Sequence, residues 1–305
     1  MHELAGKVAF ITGGASGLGL ALARVFGKQG VKVAIADVQL ERLDTAVENL
    51  RSDGITAIGV QLDVTDRTAY LQAADAVEAN LGPVQLLFNN AGIGVMGPLA
   101  ESSYDDWDWI LGVNLGGVVN GLCTFLPRMR ARHLQAHVIS TASAAGLFAS
   151  THLGVYVASK MAVVGVMEVL RAELATESIG VSVICPHLMR TEIHEHAALR
   201  PSKYHASGYD SAADRGSPTP QQIQLSTAVG MDPMEVAAQT LAAVRDNRLY
   251  VIPYPELEGI IRSRFDALIA ALPNSEPDPA RVAAEAPTLI FGPYLEALRQ
   301  AARDR

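Results

Sequence analysis

Tyr156 and Lys160 are the two residues whose types and spacing most directly indicate chemistry. They stand four positions apart, so in a helix the phenol and the ammonium lie on one face. Free tyrosine and lysine titrate at about 10 and about 10.4, so neither is a useful base at neutral pH. A positive charge beside a phenol favours the phenolate and lowers the phenol's pKa. The pair therefore predicts that Tyr156 is a general acid–base catalyst, although an ordinary solvated helix face often has the same spacing.

A hydroxyl group upstream of this pair is a second candidate. Ser143 lies thirteen residues before Tyr156, in a segment rich in serine, threonine and alanine that follows a predicted strand. A hydroxyl at a strand end can donate a hydrogen bond to the carbonyl or carbinol oxygen of a substrate. Ser140 and Thr141 lie in the same segment, so composition alone leaves three candidates.

Glycines are concentrated where the first predicted strand meets the first helix. Gly13, Gly17 and Gly19 follow the spacing G-x-x-x-G-x-G, which differs from the common dinucleotide-binding pattern G-x-G-x-x-G. Glycines at such a junction let the backbone turn sharply and approach a pyrophosphate that rests on the helix N-terminus. A glycine-rich turn also permits close packing of the helix on the strand, and the spacing alone does not separate the two interpretations.

Asp37, at the end of the second predicted strand, favours the phosphate-binding interpretation. An acidic side chain there can accept hydrogen bonds from the ribose hydroxyls of a dinucleotide. The same carboxylate repels a 2′-phosphate, and residues 14–16 contain no arginine or lysine to attract one. The sequence therefore predicts NAD rather than NADP as the cofactor; the alternative is that Asp37 only caps its strand.

The elements that must position these residues alternate between short β-branched runs and longer amphipathic segments. The six strand-like runs are Val8–Ile11, Val31–Ile35, Thr56–Val60, Val84–Phe88, His137–Ile139 and Val181–Ile184. Segments with helical periodicity lie between them, for example Leu18–Gln29 and Leu40–Arg51. This alternation predicts an α/β fold with a doubly wound parallel sheet of the Rossmann type.

The alternation stops beyond Pro186. Residues from about 194 to 231 contain scattered proline, serine, glycine and tyrosine without a clear period, which predicts a substrate lid or, alternatively, a disordered insertion. The elements predicted after it are a helix over Pro233–Asp246, a strand over Leu249–Ile252, and helices near Leu257–Leu272 and Pro279–Arg303. Nothing requires a second core, so we expect one domain over residues 1–305 with a C-terminal helical extension from about 256 to 305.

The composition argues against several classes of function. The chain has 305 residues, with 24 basic and 32 acidic side chains and a formal charge of −8. Because no basic surface is available to neutralise phosphates, we expect no nucleic-acid partner. We also expect no membrane partner and a cytoplasmic location, since the uncharged stretch His133–Ser159 is rich in polar residues. The two cysteines, Cys123 and Cys185, fit neither a disulfide framework nor a metal site.

Taken together, the motifs resemble the short-chain dehydrogenase/reductase family over residues 5 to about 192. The likeness lies in the order and spacing of the glycine loop, Asp37, Asp63-Val64, Asn89-Asn90-Ala91-Gly92, Asn114, Ser143, Tyr156 and Lys160. The resemblance implies that Tyr156 transfers the proton, that Lys160 lowers its pKa, and that Asn114 holds a water in the proton relay. It also selects Ser143, three residues before a glycine, as the group that polarises the substrate oxygen.

The same resemblance implies a set of NAD-binding positions. These are Gly13, Ser16, Gly17, Leu18, Gly19, Asp37, Val38, Asp63, Val64, Asn90, Ala91, Gly92, Tyr156, Lys160, Pro186, Leu188 and Thr191. Thr191 keeps the position that contacts the nicotinamide carboxamide. One position departs from the family, because His187 stands where a glycine often follows the proline. That departure puts the geometry of the substrate side in question.

Segments outside the core resemble a narrower group, the bacterial Cα-dehydrogenases that oxidise benzylic alcohols of lignin β-aryl ethers. These segments are Tyr104–Ile110, Leu199–Tyr209 and Leu249–Glu256. The resemblance implies a bulky secondary alcohol and its ketone as substrates. The residues expected to contact them are Ser143, Tyr156, His187, Tyr204, Tyr209 and Tyr254. The alternatives are another bulky ketone, a hydroxysteroid, or a non-catalytic NAD-binding regulator, which would have no use for an intact proton relay.

The family resemblance also implies self-association. A homodimer or homotetramer would form through the helices around Trp109–Arg132 and Tyr156–Ser178. No metal site is expected in either assembly. The run His194-Glu195-His196 invites a metal interpretation, but residues two apart point to different faces of a helix and no third ligand is suitably spaced.

Overall fold

Seven strands form one parallel sheet in the computed structural model of this protein, which describes residues 1–191, 199–204, 207–209, 220–289 and 292–303. The strands are β1 (Val8–Thr12), β2 (Lys32–Asp37), β3 (Ala57–Gln61), β4 (Val84–Asn89), β5 (Ala136–Thr141), β6 (Ile179–Ile184) and β7 (Tyr250–Val251). They lie in the order β3-β2-β1-β4-β5-β6-β7. The predicted doubly wound sheet of the Rossmann type is confirmed.

Helices alternate with the strands through most of the chain. Those before β7 are α1 (Gly17–Gly27), α2 (Leu40–Ser52), α3 (Arg67–Leu81), α4 (Tyr104–Leu111), α5 (Gly117–Ala131), α6 (Gly154–Glu173), α7 (Pro220–Val229) and α8 (Pro233–Asp246). Those after it are α9 (Glu258–Ala270), α10 (Pro279–Glu285) and α11 (Gly292–Arg303). A π-helical segment, Gly112–Gly116, joins α4 to α5.

The strands are buried because apolar side chains project from both faces of the sheet into the protein interior. Every residue of β1 is at most 2% exposed, and side chains on opposite faces enter two separate hydrophobic clusters. In one cluster the ring of Phe10 lies 4.9 Å from the ring of Phe125. In the other the ring of Phe26 lies 4.9 Å from that of Phe88. Helices packed on both faces therefore keep the central strands dry, as a parallel sheet requires.

Side-chain caps fix where several helices begin. Asp66 accepts hydrogen bonds from the backbone N–H groups of Thr68 (2.9 Å) and Ala69 (3.0 Å) at the start of α3. Asp232 caps α8 in the same way, accepting from Met234 N at 2.8 Å. Helix α1 differs, because its N-cap residue Ser16 makes no capping hydrogen bond through its side chain. The first-turn amides of α1 are therefore left without this cap.

The strand order reverses between β1 and β4, and this reversal determines where a ligand can bind. In open α/β sheets the crevice lies beyond the carboxyl ends of the strands at such a switch point. The glycine-rich loop follows β1, Asp37 ends β2, and Asn90 follows β4. Ser143 follows β5 and Pro186 follows β6 at the same edge. The topology thus brings residues from five separate parts of the chain to one crevice.

The segment predicted to be an irregular lid contains more regular structure than its composition indicates. Ser202–Tyr204 form a 3₁₀ turn and Pro220–Val229 form helix α7, so the prediction of irregular structure is wrong for these residues. A proline at the first position suits a helix start, and glutamine, leucine and alanine propagate helix without an amphipathic pattern. Residues 192–198, 205–206 and 210–219, which include His194-Glu195-His196, lie outside the described residues.

The C-terminal extension also differs from its prediction. The single helix expected over Pro279–Arg303 is wrong, because α10 ends at Glu285 and α11 begins at Gly292. Pro287 follows the end of α10, where the residue before a proline is disfavoured in helical geometry. Helix α11 is fastened to α6 by an ion pair between Arg171 Nη2 and Glu296 Oε1 at 2.5 Å.

One helical stretch, Tyr104–Ala131, is long and apolar enough to cross a membrane by length and composition alone. Its most apolar window has a mean hydropathy of 1.5, and half of that window is buried within the protein. Phe125 and Met129 on its buried side belong to the core beside the sheet. A core helix of a globular protein meets the same criteria, so this stretch is weak evidence for a membrane span.

Candidate active site

The loop after β1 adopts a conformation that glycine accommodates readily. Gly13 and Gly17 have positive φ angles of 62° and 49°. A Cβ on Gly19 would clash with the carbonyl oxygen of Gly13, and a Cβ on Gly17 would lie 3.2 Å from Thr191 Cγ2. The loop is therefore built for close approach of backbone to backbone. It leads directly into the N-terminus of α1, whose first turn begins beside Ser16.

Asn90 and Thr12 fasten three strand ends to one another. Asn90 Nδ2 donates to the carbonyl oxygens of Thr12 (3.0 Å) and Gly13 (3.3 Å). Thr12 Oγ1 accepts from the backbone N–H groups of Asn90 (2.9 Å) and Ala91 (3.0 Å), and Thr141 Oγ1 donates to Asn90 Oδ1 at 3.0 Å. Thr12 was not among the predicted site residues, because nothing in the sequence indicates which backbone amides its hydroxyl meets.

Asp37 reaches from the end of β2 to the glycine loop. Its Oδ2 accepts from Ala15 N at 3.2 Å and its Oδ1 accepts from Gln39 N at 3.1 Å. The neighbouring Val38 is 54% exposed, so the carboxylate lies at an open edge of the crevice. Each carboxylate oxygen has a further acceptor site, which leaves capacity for donors from a ligand.

Ser143, Tyr156 and Lys160 meet on the β5–β6 side of the crevice. Tyr156 and Lys160 lie one turn apart on α6, and Lys160 Nζ is 5.6 Å from the centroid of the tyrosine ring. Lys160 is 3% exposed and donates from Nζ to the carbonyl oxygen of Thr141 at 3.0 Å. Ser143 lies close enough to the Tyr156 phenol to lower its pKa, and its Oγ accepts from Ala145 N at 3.2 Å. The three residues that the sequence predicted as one unit are adjacent.

Burial is the largest cause of the pKa shifts of Tyr156 and Lys160. Burial raises the pKa of Tyr156 above its ordinary value of 10.0, and the nearby Ser143 hydroxyl only partly opposes the rise. Burial lowers the pKa of Lys160 from 10.5 to about 8. The expected lowering of the Tyr156 pKa is therefore wrong for the protein alone, since loss of water around the phenol outweighs the stabilisation of the phenolate. Residue spacing shows that two groups share a helix face but not how deeply that face is buried.

Asn114 lies at the centre of the π-helical segment and is fully buried. Its Oδ1 accepts from Ile93 N at 2.8 Å, while its Nδ2 donates to Ile93 O and to Ser159 Oγ, both at 3.0 Å. Both amide protons are thus used within the protein. A Cβ on Gly92 would lie 3.2 Å from Lys160 Nζ and 3.3 Å from Asn114 Oδ1. The glycine at 92 therefore gives these two groups room beside the loop after β4.

The predicted cofactor positions after β3 lie at the other side of the crevice. The exposed Asp63 accepts through Oδ1 from Thr65 N (2.9 Å) and Thr65 Oγ1 (2.8 Å). Val64 is 7% exposed, and its carbonyl oxygen accepts from Asn120 Nδ2 at 2.8 Å. These bonds define the course of the loop, and the roles of both residues toward a cofactor stay predictions.

The positions after β6 form one loop next to Ser143. The Pro186 carbonyl oxygen accepts from Ser143 Oγ at 3.4 Å and from Ala144 N at 2.7 Å. Leu188 follows in this loop, and its carbonyl oxygen accepts from Met231 N at 2.9 Å. The proline thus lies against the segment that carries the candidate hydroxyl. Contacts of this loop with a cofactor also stay predictions.

His187 and Tyr254, both expected to contact substrate, lie together at this loop. His187 is exposed, and its ring centroid is 5.9 Å from that of Tyr254. Tyr254 is 4% exposed and donates from its hydroxyl to the Leu188 carbonyl oxygen at 3.1 Å. Of the two, His187 is the one whose side chain is open to solvent.

Tyr204 and Tyr209 lie on the α4 side instead. Tyr204 is half-buried against a small cluster that includes Ile93 and Val155, the neighbours of the candidate site. Tyr209 is 6% exposed, and its ring lies directly on Gly97. The structure therefore divides the predicted substrate residues between two sides, and their roles stay predictions.

A buried carboxylate that the sequence analysis missed holds the Tyr204–Tyr209 segment in place. Asp106 on α4 is fully buried and accepts from Arg200 Nη1 (2.7 Å), Ser207 Oγ (3.0 Å) and Gly208 N (3.0 Å). Burial raises its pKa, but hydrogen bonds from Ser103, Arg200 and Gly208 outweigh that effect and hold the pKa below its usual range. We call Asp106 and its bonds to residues 200, 207 and 208 the Asp106 clasp. Asp106 stands in an acidic run, which in sequence looks like an exposed surface.

Within the described ranges, no group of three or more histidine, cysteine, aspartate or glutamate side chains is placed to hold a metal ion. Cys123 is exposed and Cys185 is buried, and both are free thiols.

Comparisons with known proteins agree with this geometry. The model of the family described as short chain dehydrogenase matches residues 7–200. The chain is 42% identical over 280 residues to the C alpha-dehydrogenase of Sphingobium sp. strain SYK-6, covering 92% of this chain and 90% of that one. It is similar to a solved short chain dehydrogenase/reductase from Burkholderia phymatum in complex with NAD, with a TM-score of 0.82, 36% identity and coverage of 91% and 99%. It is also similar to the apo form of LigD from Sphingobium sp. strain SYK-6, with a TM-score of 0.75, 39% identity and coverage of 89% and 100%.

Proposed function

Because this chain belongs to the short-chain dehydrogenase family of oxidoreductases, we propose that it uses NAD to interconvert bulky secondary benzylic alcohols and their ketones. The observation that carries this proposal is the meeting of Ser143, Tyr156 and Lys160 at the switch-point crevice, opposite the glycine loop and Asp37. The similarity to a Cα-dehydrogenase over 92% of the chain supports the choice of substrate class.

The loop after β1 fits the pyrophosphate of NAD. A Cβ at Gly19 would fill the turn, and the α1 N-terminus lacks a side-chain cap from Ser16 that would compete for its first amides. Such amides and the helix dipole favour an anion. Asp37, held by Ala15 N and Gln39 N, lies where it can accept from ribose hydroxyls and repel a 2′-phosphate. These features support NAD over NADP.

Ser143, Tyr156 and Lys160 have separate roles in alcohol oxidation. NAD, when bound, supplies a hydride acceptor at its nicotinamide ring. Ser143 orients the carbinol oxygen by hydrogen bonding, and Tyr156 removes the hydroxyl proton as a base, or returns it to a ketone as an acid. Lys160, held by the Thr141 carbonyl, places a positive charge 5.6 Å from the tyrosine ring. Asn114 secures Ile93 and Ser159 around this group, and its role in holding a water of the proton relay stays a prediction.

The raised pKa of Tyr156 has a direct consequence for the two directions of reaction. Alcohol oxidation requires the phenolate, whose fraction grows as the pH rises toward the tyrosine pKa. Ketone reduction requires the phenol, which predominates at neutral pH. Oxidation is therefore expected to accelerate with rising pH over the neutral and mildly alkaline range, while reduction is favoured at neutral pH.

The proposal is tested with an alcohol panel followed by NADH formation. The panel contains a β-aryl ether dimer with a benzylic secondary alcohol, a 1-arylethanol, a hydroxysteroid and a short aliphatic alcohol, each with NAD and with NADP. We expect the highest kcat/KM for the dimer with NAD, since burial of rings at both ends adds binding energy usable in the transition state. A preference for the steroid or the aliphatic alcohol would contradict the benzylic assignment, and equal use of NADP would contradict the role of Asp37.

A further inference from the structure

His187 is an exposed aromatic side chain held between two other rings. Its ring centroid lies 5.9 Å from that of Tyr254, with an angle of 84° between the ring planes. On the other side it lies 6.5 Å from the centroid of Phe148, with an angle of 67°. Both contacts are edge-to-face, the arrangement that aromatic quadrupoles favour. The three rings form what we call the aromatic wall: Phe148, His187 and Tyr254.

The aromatic wall is connected to the turn that carries Ser143. His187 directly follows Pro186, so the two Cα atoms are about 3.8 Å apart. The Pro186 carbonyl oxygen accepts from Ser143 Oγ at 3.4 Å and from Ala144 N at 2.7 Å. Phe148 is tied to the same turn, because its backbone N–H donates to the Ala144 carbonyl oxygen at 3.2 Å. His187 and Phe148 are therefore attached to the two segments that meet at Ser143.

The two outer rings support the wall. Tyr254 is 4% exposed, packs with Ala144 and Leu257, and has its hydroxyl engaged with the Leu188 carbonyl oxygen. Phe148 is half-buried and packs against the same small cluster. His187 alone of the three is exposed, so it is the ring that a ligand can touch without displacing a neighbour. The flanking rings restrict its orientation, which reduces the rotamer entropy lost when a ligand binds.

We infer that His187 is a specificity-determining residue that contacts the aryl ring on the carbinol carbon and selects aryl carbinols over alkyl carbinols of the same shape. The inference rests on the proposed function and adds to it the residue that recognises the aryl ring of the benzylic alcohol. An aromatic contact adds about 0.5–1.5 kcal/mol beyond the area it buries, equal to a preference of about 2- to 13-fold. A cyclohexyl ring buries a similar area but has no quadrupole to complement the imidazole.

The test compares kcat/KM for a 1-arylethanol and its 1-cyclohexylethanol counterpart in three forms of the full-length protein. We expect His187→Ala to lower the aryl-to-cyclohexyl ratio by about 2- to 13-fold, and His187→Phe to restore most of it. The KM for NAD should stay unchanged, since the substitution acts on the alcohol side. His2→Ala, which removes an exposed histidine at the N-terminus, is the matched control and should leave the ratio unchanged.

The outcomes separate this inference from the proposed function. If the unmodified protein oxidises both alcohols and His187→Ala leaves their ratio unchanged, or lowers both rates alike, the inference is overturned and the dehydrogenase assignment stands. If the unmodified protein oxidises neither alcohol nor the other members of the panel, both fail together. Thermal unfolding of each variant checks that the ratio is compared between folded proteins.

Discussion

Tyr156 shows how burial and hydrogen bonding compete at a single residue. Burial raises the pKa of its phenol above 10.0, and the nearby Ser143 hydroxyl opposes that rise only in part. Lys160 responds in the opposite sense, with a pKa lowered to about 8, because loss of water disfavours its charged form. Tyr156 therefore keeps its proton at neutral pH, where that proton is available for transfer to a ketone, while Lys160 stays mostly protonated.

Replacing Tyr156 with phenylalanine is expected to lower kcat by about 10²- to 10⁴-fold, the usual contribution of a positioned acid–base group. The ring and its packing remain, so affinity for NAD should change little. The rise of the oxidation rate with pH should also disappear, because the group that titrates is gone. Steady-state kinetics over a pH series measures both effects, and a variant with full turnover would remove the proton-transfer role from Tyr156.

At the scale of elements, the Asp106 clasp joins α4 to the segment that carries Tyr204 and Tyr209. Three of the groups that donate to this carboxylate belong to residues 200, 207 and 208. The same guanidinium of Arg200 lies 5.1 Å from the centroid of Trp109. We propose that the segment from about 194 to 231 acts as the substrate lid, and that the clasp sets the position of its described N-terminal part.

Asp106→Asn should destabilise the fold by about 3 kcal/mol, because it leaves the buried Arg200 guanidinium without a charged partner. Substrate KM should rise more than kcat falls, since the clasp positions the lid and does not touch the reacting atoms. Asp108→Asn, at an exposed carboxylate on the same helix, is the matched control. Denaturant unfolding and steady-state kinetics give the two quantities. Equal effects of the two substitutions would show that the clasp does not hold the lid.

His137, on β5, makes the free energy of unfolding of the protein depend on pH. It is 1% exposed, its Nε2 lies 2.8 Å from Ser182 Oγ on β6, and burial lowers its pKa from 6.5 to about 3. Its folded-state pKa is below the unfolded value, so between pH 6.5 and 3 the unfolded chain binds more protons. The stability it contributes is therefore complete above pH 6.5 and is lost as the pH falls toward 3.

His137→Gln should flatten the acid limb of the stability curve. One proton corresponds to about 1.4 kcal/mol per pH unit, and this slope should be missing from the variant between pH 6.5 and 3. Urea unfolding at a series of pH values gives the slope directly. His2→Gln, at an exposed site, should leave it unchanged. The same slope in His137→Gln as in the unmodified protein would mean that another group controls acid unfolding.

For the molecule as a whole, the sheet and the crevice were predictable from local pattern, whereas tertiary contacts were not. The β-branched runs mark the strands because both faces of a parallel sheet are buried, and the Tyr156–Lys160 spacing places two groups on one helix face. The Asp106 clasp could not be read in the same way, since an acidic side chain in an acidic run carries no sign of the arginine that it meets far along the chain. Helix α7 has no amphipathic period, so its residues resemble a loop in sequence. The single-domain organisation stays a prediction.

We propose that this protein moves a hydride from a benzylic carbinol carbon to NAD while Tyr156 takes the hydroxyl proton. The decisive experiment incubates a 1-arylethanol deuterated at the carbinol carbon with NAD and follows the nicotinamide C4 position by NMR. We expect deuterium at C4 on one face only, a ketone product free of that label, and a large loss of the transfer rate in Tyr156→Phe. NADH formed without deuterium, or no transfer from any benzylic alcohol, would contradict direct hydride transfer from the carbinol carbon.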